Sequence, residues 1–277
     1  MTLEQKFDKL NIILKSLGKV LIAYSGGVDS TFLLKAAVEN LGTENVICCL
    51  GTSPSLAQSQ HRIALEMARS IGIEVRQVAV NELSDANYSS NKADRCFHCK
   101  SHLFGLLKEI ADKDNIEYVI CGSNFDDLDD YRPGNRAAKA LDVRAPLMEA
   151  KLTKDDIRQL SKQLDLKTAD MPATPCLASR VSYGVEITES KLKQIDKAED
   201  FIRSLGFVEF RVRHHDTVAR IEVDQNDIPK IIREDNRSQI VEYIKSLGFK
   251  YVTIDLEGFR SGSLNESLTE EEKQKHL

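Results

Sequence analysis

No apolar run in this 277-residue sequence approaches the roughly 18 residues that a membrane helix needs, and the N-terminus carries no secretory leader pattern. A cytoplasmic protein with no membrane partner is therefore expected. There is no excess of positive charge either: 38 Lys plus Arg stand against 43 Asp plus Glu, a formal net charge of −5. That balance argues against a broad nucleic-acid surface. Six cysteines in a chain of this size, with no export signal, do not read as a disulfide framework, so each is core, metal ligand or nucleophile. What is present is 42% hydrophobic and 29% charged, the make-up of a globular chain long enough for one large or two ordinary domains.

The most informative stretch also lacks something. Ser25-Gly26-Gly27-Val28-Asp29-Ser30 follows the apolar run Val20-Leu21-Ile22-Ala23-Tyr24 and leads into a helical pattern from Thr31. A strand that turns through two glycines into a helix start lets an anion approach bare backbone. The free amide N–H groups and the helix dipole then favour its charge. A Walker loop would place Lys-Ser or Lys-Thr after its last glycine, where this chain has Asp29 and Ser30. Without that lysine the loop does not reach for a transferred γ-phosphate. Its spelling resembles the PP-loop of the ATP pyrophosphatase superfamily, which holds β,γ-pyrophosphate as leaving group and moves AMP onto a substrate oxygen. The plain alternative is a turn rich in small residues.

Strand patterns at 19–24, 45–50, 74–80 and 117–121 alternate with helical patterns at 31–41, 56–71 and 100–114, the order of parallel βαβ crossovers. Ligands of such sheets lie beyond the carboxyl ends of the strands, so Gly51-Thr52-Ser53 and Cys121-Gly122-Ser123 are expected to face the same nucleotide. Cys48, Cys49 and Cys121, at or near strand ends, read as small buried core residues. Further on, Phe201-Ile202-Arg203-Ser204-Leu205-Gly206-Phe207 recurs as Tyr243-Ile244-Lys245-Ser246-Leu247-Gly248-Phe249. Each copy is a helix end stopped by glycine before a strand, at 210–214 or 250–254, and a third strand is expected at 218–223. The fold expected is α/β: a parallel-sheet PP-loop domain over 1–177, a smaller α+β domain over 178–265, and a charged tail over 266–277. From Arg180 to Arg260 there are 14 Lys plus Arg against 15 Asp plus Glu, which leaves no basic stripe for RNA.

Cys96-Phe97-His98-Cys99 falls between the third strand and the next helix. Two thiolates three residues apart suit zinc, a redox disulfide or an iron-sulfur cluster. Cys176, in Thr174-Pro175-Cys176-Leu177-Ala178-Ser179-Arg180, is the only other cysteine outside strand-like surroundings. Three thiolates would leave one iron of a 4Fe-4S cluster open to bind hydrosulfide. Zinc completed by His98 or His102 is the equal alternative.

Taken together, SGGVDS at 25–30, Asp-Tyr-Arg-Pro-Gly at 130–134, Cys-Leu-Ala-Ser-Arg at 176–180, Phe-Arg-Val-Arg-His-His at 210–215, Ala-Arg-Ile-Glu at 219–222 and Gly-Phe-Arg-Ser-Gly at 258–262 resemble the LarE family. These are ATP-dependent sulfurtransferases of nickel-pincer cofactor synthesis, and the resemblance covers most of the chain. It implies adenylation of the carboxylates of pyridinium-3,5-dicarboxylate mononucleotide and their conversion to thiocarboxylates in two rounds. In some members one cysteine surrenders its sulfur and becomes dehydroalanine; others carry three cysteines and a 4Fe-4S cluster. With Cys96, Cys99 and Cys176 all present, this chain is placed with the second kind. ATP contacts are expected at Ala23, Ser25, Gly26, Gly27, Asp29, Ser30 and Gly122, and the resemblance adds substrate-side roles for Ser179, Arg180 and Glu199. A homo-oligomer is expected.

The chemistry is coherent without the family name. Joining a carboxylate oxygen to AMP turns an oxide leaving group into a phosphate ester, and thiolate or metal-bound sulfide then attacks the acyl carbon. Pyrophosphate departs into the amides of 25–30, with Mg²⁺ offsetting its charge and Asp29 the nearest residue to organise that ion. Arg211 and Arg213, alternate on a strand, share a face and suit an anionic nucleotide, although alternate arginines are also a common solvated face. His214 and His215 face opposite ways and carry no metal expectation. The acidic run 126–130 reads as a solvated loop, with Asp126 or Asp127 toward Mg²⁺ as the sharper alternative. A tRNA thiolase would add a basic surface, an amide synthetase would not need the three cysteines, and a nucleotide sensor would turn nothing over.

Overall fold

The structure is a computed structural model, and it describes residues 1–128, 133–260, 262–269 and 271. Asp129, Asp130, Tyr131 and Arg132 of the acidic run and the adjoining motif lie outside the described residues, as do Ser261 and most of the charged tail.

Helix α1 (Leu3–Leu17) is closed at its start by a capping box, in which the Thr2 and Gln5 side chains each bind the other residue's backbone N–H. There follow β1 (Val20–Tyr24), α2 (Val28–Leu41), β2 (Val46–Thr52), α3 (Gln58–Ile71), β3 (Val75–Ala79), the single turn α4 (Ala86–Ser89), α5 (Arg95–Lys113) and β4 (Tyr118–Cys121). The strands pair in parallel in the order β3-β2-β1-β4, so the four expected strands and their crossovers are present. Side chains of β1 alternate between the faces. Val20, Ile22 and Tyr24 join a core with α1 and α2, while Leu21 and Ala23 join Phe104 and Leu107 of α5 on the other side.

Helices α6 (Pro133–Ala140), α7 (Pro146–Glu149) and α8 (Lys154–Gln163) close this half, and α8 packs against α2. The chain then enters α9 (Glu189–Ser204), β5 (Phe210–His215), β6 (Val218–Val223), α10 (Ile228–Ile231), α11 (Glu234–Ser246) and β7 (Tyr251–Ile254). β5 and β6 are antiparallel, and β6 and β7 parallel. Both copies of the repeated segment end a helix at a glycine of positive φ, +81° at Gly206 and +107° at Gly248. Their leading aromatics, Phe201 and Tyr243, stack at 4.2 Å.

One face of the mixed sheet is apolar: Phe210 and Val212 pack with Ala198, Ile202, Ile240 and Ile244. Arg211 and Arg213 stand on the other face, as strand alternation requires. Residues from both halves share a further cluster, which contains Ala57 and Tyr88 together with Leu177, Ala178, Val181, Leu192 and Ile195.

Candidate active site

Strand β1 is followed in the sequence by β2 and β3 on one side and by β4 on the other, which makes the β1/β4 crevice the place where strand order reverses. Loops at such a point diverge and leave room for a ligand at their carboxyl ends. Ser25 to Ser30 sit there. Gly27 caps α2 without any side-chain hydrogen bond, and the first helical bond runs from Thr31 N to Gly27 O at 2.9 Å. The N–H groups of Val28, Asp29 and Ser30 thus have no acceptor within the helix, which leaves them to an anion.

Two of the glycines are required by packing as well as by any ligand. Gly26 has φ +74°, and a Cβ there would lie 2.5 Å from Ala64 Cβ of α3. A Cβ on Gly122, just past β4, would lie 2.9 Å from Ser30 N. Gly122 is therefore the floor against which the first turn of α2 rests. The Ser30 hydroxyl ties the loop together, donating to Gly27 O at 3.2 Å and meeting Ser25 Oγ at 3.0 Å.

Asp29 faces a residue that sequence reading did not single out. Lys154 Nζ, at the start of α8, donates to its Oδ1 at 2.7 Å, and Asn124 Nδ2 donates to Oδ2 at 3.2 Å. The crevice thus holds a carboxylate fit to organise Mg²⁺ beside a lysine fit to meet phosphate, supplied from 125 residues away. Asp126 and Asp127 serve locally: Asp126 Oδ2 accepts from Lys154 N at 2.8 Å, and Asp127 Oδ2 from Asn124 N at 3.0 Å.

Cys96 and Cys99 occupy the first turns of α5, and Cys176 lies exposed on the loop before Leu177. Leu177 N donates to Ser55 O at 2.9 Å, which pins this loop beyond the end of β2. Burial pushes the Cys96 and Cys99 thiols up, and nearby Cys176 raises both further. Cys48 and Cys49, by contrast, are core residues, with Cys49 pushed up to about 11 by burial; Cys121 is buried as well. Beside the three site thiols lies Arg95, 3% exposed, whose guanidinium stacks 4.9 Å from the Tyr183 ring and donates to Asn91 Oδ1. Burial works against its charge, yet Cys96 and Cys176 hold it firmly cationic.

Among the described residues, no three His, Cys, Asp or Glu side chains converge on a point that would hold a single metal ion. His98 and His102 engage Asp85, at 3.8 and 3.0 Å, which gives no support to a zinc site completed by either. A four-iron cluster spreads its ligands over separate irons, and soft thiols are the donor chemistry it takes. Three thiols, two of them half-buried and one open to solvent, stand beside a buried cation whose Nε has no acceptor.

The mixed-sheet half contributes buried ion pairs. Arg180, 1% exposed, forms a two-pronged bridge to Glu199, Nε–Oε1 2.9 Å and Nη2–Oε2 3.1 Å, and Nη1 donates to the carbonyls of Pro175 and Cys176. Glu199 Oε1 also accepts from Val212 N at 3.1 Å. Arg180 and Glu199 thereby fix the Cys176 loop onto β5. Arg213 pairs with Glu222 at 2.9 and 2.7 Å and donates to Ser179 O at 2.9 Å. The Ser179 hydroxyl donates to Cys176 O at 2.8 Å.

Arg211 differs from its neighbours. It donates to the carbonyls of Phe210 and Ala173, and its guanidinium lies 4.8 Å from the Phe259 ring. Burial first, and then the adjacent Arg180, lower its pKa to about 10, against the opposing pull of Glu199. His214 and His215 do face opposite ways: His214 meets Gln194 Oε1 at 3.1 Å, and His215 meets Ser182 Oγ at 3.3 Å.

Residues 4–103 match the NAD synthase family model, a stretch that holds the loop, strands β1 to β3 and the Cys96-to-Cys99 turn. Over 97% of the chain and 96% of the relative, the sequence is 36% identical to the pyridinium-3,5-bisthiocarboxylic acid mononucleotide synthase of Lactiplantibacillus plantarum. The chain belongs to the LarE family. It is also 43% identical to an uncharacterized protein of Synechocystis, over 96% of the chain and 99% of that protein, and 32% identical to one of Methanocaldococcus jannaschii, over 88% and 91%. Membership of the LarE family and the parallel PP-loop sheet agree with the fold read from sequence. Among the described residues no helix is long and apolar enough to cross a membrane.

Proposed function

We infer that this LarE-family chain is an ATP-dependent sulfurtransferase that acts on pyridinium-3,5-dicarboxylate mononucleotide, with 1–177 forming the nucleotide half and 178–265 the substrate half. A substrate carboxylate oxygen attacks the α-phosphorus of ATP, and pyrophosphate leaves into the amides of Val28, Asp29 and Ser30. Lys154 turns from Asp29 to the departing phosphates, and Asp29 is released to organise Mg²⁺. Arg211 takes the substrate phosphate. Arg180, Glu199, Arg213 and Glu222 act as positioning residues that hold Cys176 against the substrate. Sulfur then attacks the acyl carbon, and AMP departs with one substrate oxygen. A 4Fe-4S cluster held by Cys96, Cys99 and Cys176 would supply an open iron at which hydrosulfide is presented.

The observation that carries this reading is the placement of an exposed Cys176 beside two half-buried thiols, on a loop bonded both to the parallel-sheet half through Ser55 O and to the arginine-bearing strand through Arg180. The test is anaerobic incubation with ATP, Mg²⁺, sulfide and the dicarboxylate mononucleotide. Thiocarboxylate product with AMP and pyrophosphate is expected, and release of ADP and orthophosphate overturns it. The exposure of Cys176 also favours a second route, in which that residue gives up its own sulfur. Dehydroalanine at Cys176 after turnover, seen by peptide mass spectrometry, would select that route over the cluster.

A further inference from the structure

The two sheets end in the edge strands β3, β4, β5 and β7, and the first three are covered or charged. Beyond β4, Arg144 bridges Ile120, and Cys121 N donates to Arg144 O at 2.8 Å. Beyond β5, Val181 bridges His214. β3 carries exposed Arg76, paired with Asp114 at 2.6 Å. β7 differs: among the described residues nothing bridges its outer edge, and Tyr-Val-Thr-Ile over 251–254 holds no charge, proline or glycine. Such an edge is a template for another strand. Large apolar groups stand open along it, Tyr251 at 62% and Leu256 at 81% exposed.

Backbone direction sets what the edge offers. Tyr251 N donates to Thr217 O at 3.1 Å and Asp255 N to Ile221 O at 2.9 Å, both on the β6 side. Backbone groups of successive residues point to opposite sides of a strand, so the N–H and C=O of Val252 and Ile254 point outward. Two copies of β7 laid antiparallel about a twofold axis perpendicular to the sheet keep every side chain on its own face. Centred on Thr253, this pairing sets Val252 of each copy opposite Ile254 of the other, and both outward residues exchange their hydrogen bonds. Thr253 then meets its own equivalent across the axis, a favourable cross-strand pair. Tyr251 falls opposite Asp255, whose carboxylate lies 3.6 Å from Arg220 Nε, and the Lys250 stem falls opposite Leu256.

We propose that β7 is the surface through which two copies of this chain pair, antiparallel and centred on Thr253, joining two three-stranded sheets into one. Register places Thr253 beside Arg220 and Arg213, so the arginine faces of the two copies look to the same side. Nothing in this pairing depends on the sulfur chemistry above.

The test is the solution mass of the full chain by light scattering and sedimentation velocity, for wild type and Val252→Pro, with cross-linking of Thr253→Cys and Tyr251→Cys. Wild type is expected as a dimer or an even multiple of it. Val252→Pro removes an outward N–H that the chain's own sheet does not use, a change that edge strands accept. It should weaken the pairing by about tenfold or more. With diamide as oxidant, Thr253→Cys should give a disulfide between copies at position 253, located by peptide mass spectrometry, because opposed Cα atoms about 4.5 Å apart permit one. Tyr251→Cys, opposite Asp255, should give none. A monomeric wild type overturns the proposal and leaves the edge to an extended segment of another protein. An assembly that Val252→Pro leaves intact overturns it as well. If Val252→Pro fails to fold, the cross-link decides alone, and its absence at position 253 refutes the pairing.

Discussion

In the parallel-sheet half the groups offered to a ligand are main-chain amides, set by two close backbone approaches at Gly26 and Gly122. In the mixed-sheet half they are guanidinium groups, set by carboxylates buried with them. The first arrangement needs little buried charge and leaves no room for a Cβ at Gly26 or Gly122. The second tolerates ordinary backbone but is intolerant of losing one partner of a pair, since a lone charge would remain in an apolar setting. The LarE-family chain thus joins a main-chain cradle to a face braced by buried ion pairs, with the Cys176 loop bonded to Ser55 of the first half and, through Arg180, to Glu199 of the second.

The sharpest way to break this comparison is Glu199→Ala, which strands Arg180 and removes the acceptor of Val212 N. A loss of about 3–5 kcal/mol is expected in urea unfolding. Arg180→Met combined with Glu199→Leu should recover most of that stability while activity stays low, separating bracing from mere packing. A pair of variants with wild-type stability and activity would refute the bracing role.

Acid should expose the same asymmetry. Burial lowers the His214 pKa from 6.5 to about 4. The unfolded chain therefore binds this proton first, and the stability due to neutral His214 is complete above pH 6.5 and lost as pH falls toward 4. The window is worth about 3 kcal/mol. Amide exchange in β5 should accelerate across that range ahead of β1, and His214→Phe should flatten the profile.

Gly122→Ala should cost about 1–3 kcal/mol through overpacking against Ser30, and it should slow pyrophosphate release by displacing the first turn of α2. Gly27→Ala makes the finer distinction. A Cβ there meets only Ser25 Oγ at 3.6 Å, so stability should change by under about 1 kcal/mol. The KM for ATP should nevertheless rise at least tenfold, equivalent to about 1.4 kcal/mol, because the methyl group stands where phosphate approaches. Unchanged KM would mean that the bare backbone serves packing alone.

Features written in local spacing were legible from sequence. The glycine pair after an apolar strand marked the cradle, the repeated helix stops at Gly206 and Gly248 marked the second sheet, and strand alternation put Arg211 and Arg213 on one face. Features created by the crossing of distant segments were not. Nothing near Asp29 announces Lys154, which arrives from the start of α8. Sequence also left Arg211 and Arg213 equivalent, whereas the register of β5 against β6 sets Glu222 directly opposite Arg211 and yet its carboxylate binds Arg213. That choice belongs to side-chain packing, and it leaves Arg211 on the carbonyls of Phe210 and Ala173. The division of labour among the cysteines was half visible, since position in or out of a strand separated Cys48, Cys49 and Cys121 from the other three.

The central claim is that a substrate acid is armed by transfer of AMP before sulfur arrives, and oxygen tracing tests it most directly. With oxygen-18 in the carboxylates of the pyridinium mononucleotide, each turnover should deliver one labelled oxygen to AMP and none to pyrophosphate. Label in orthophosphate, accompanied by ADP, would contradict the account.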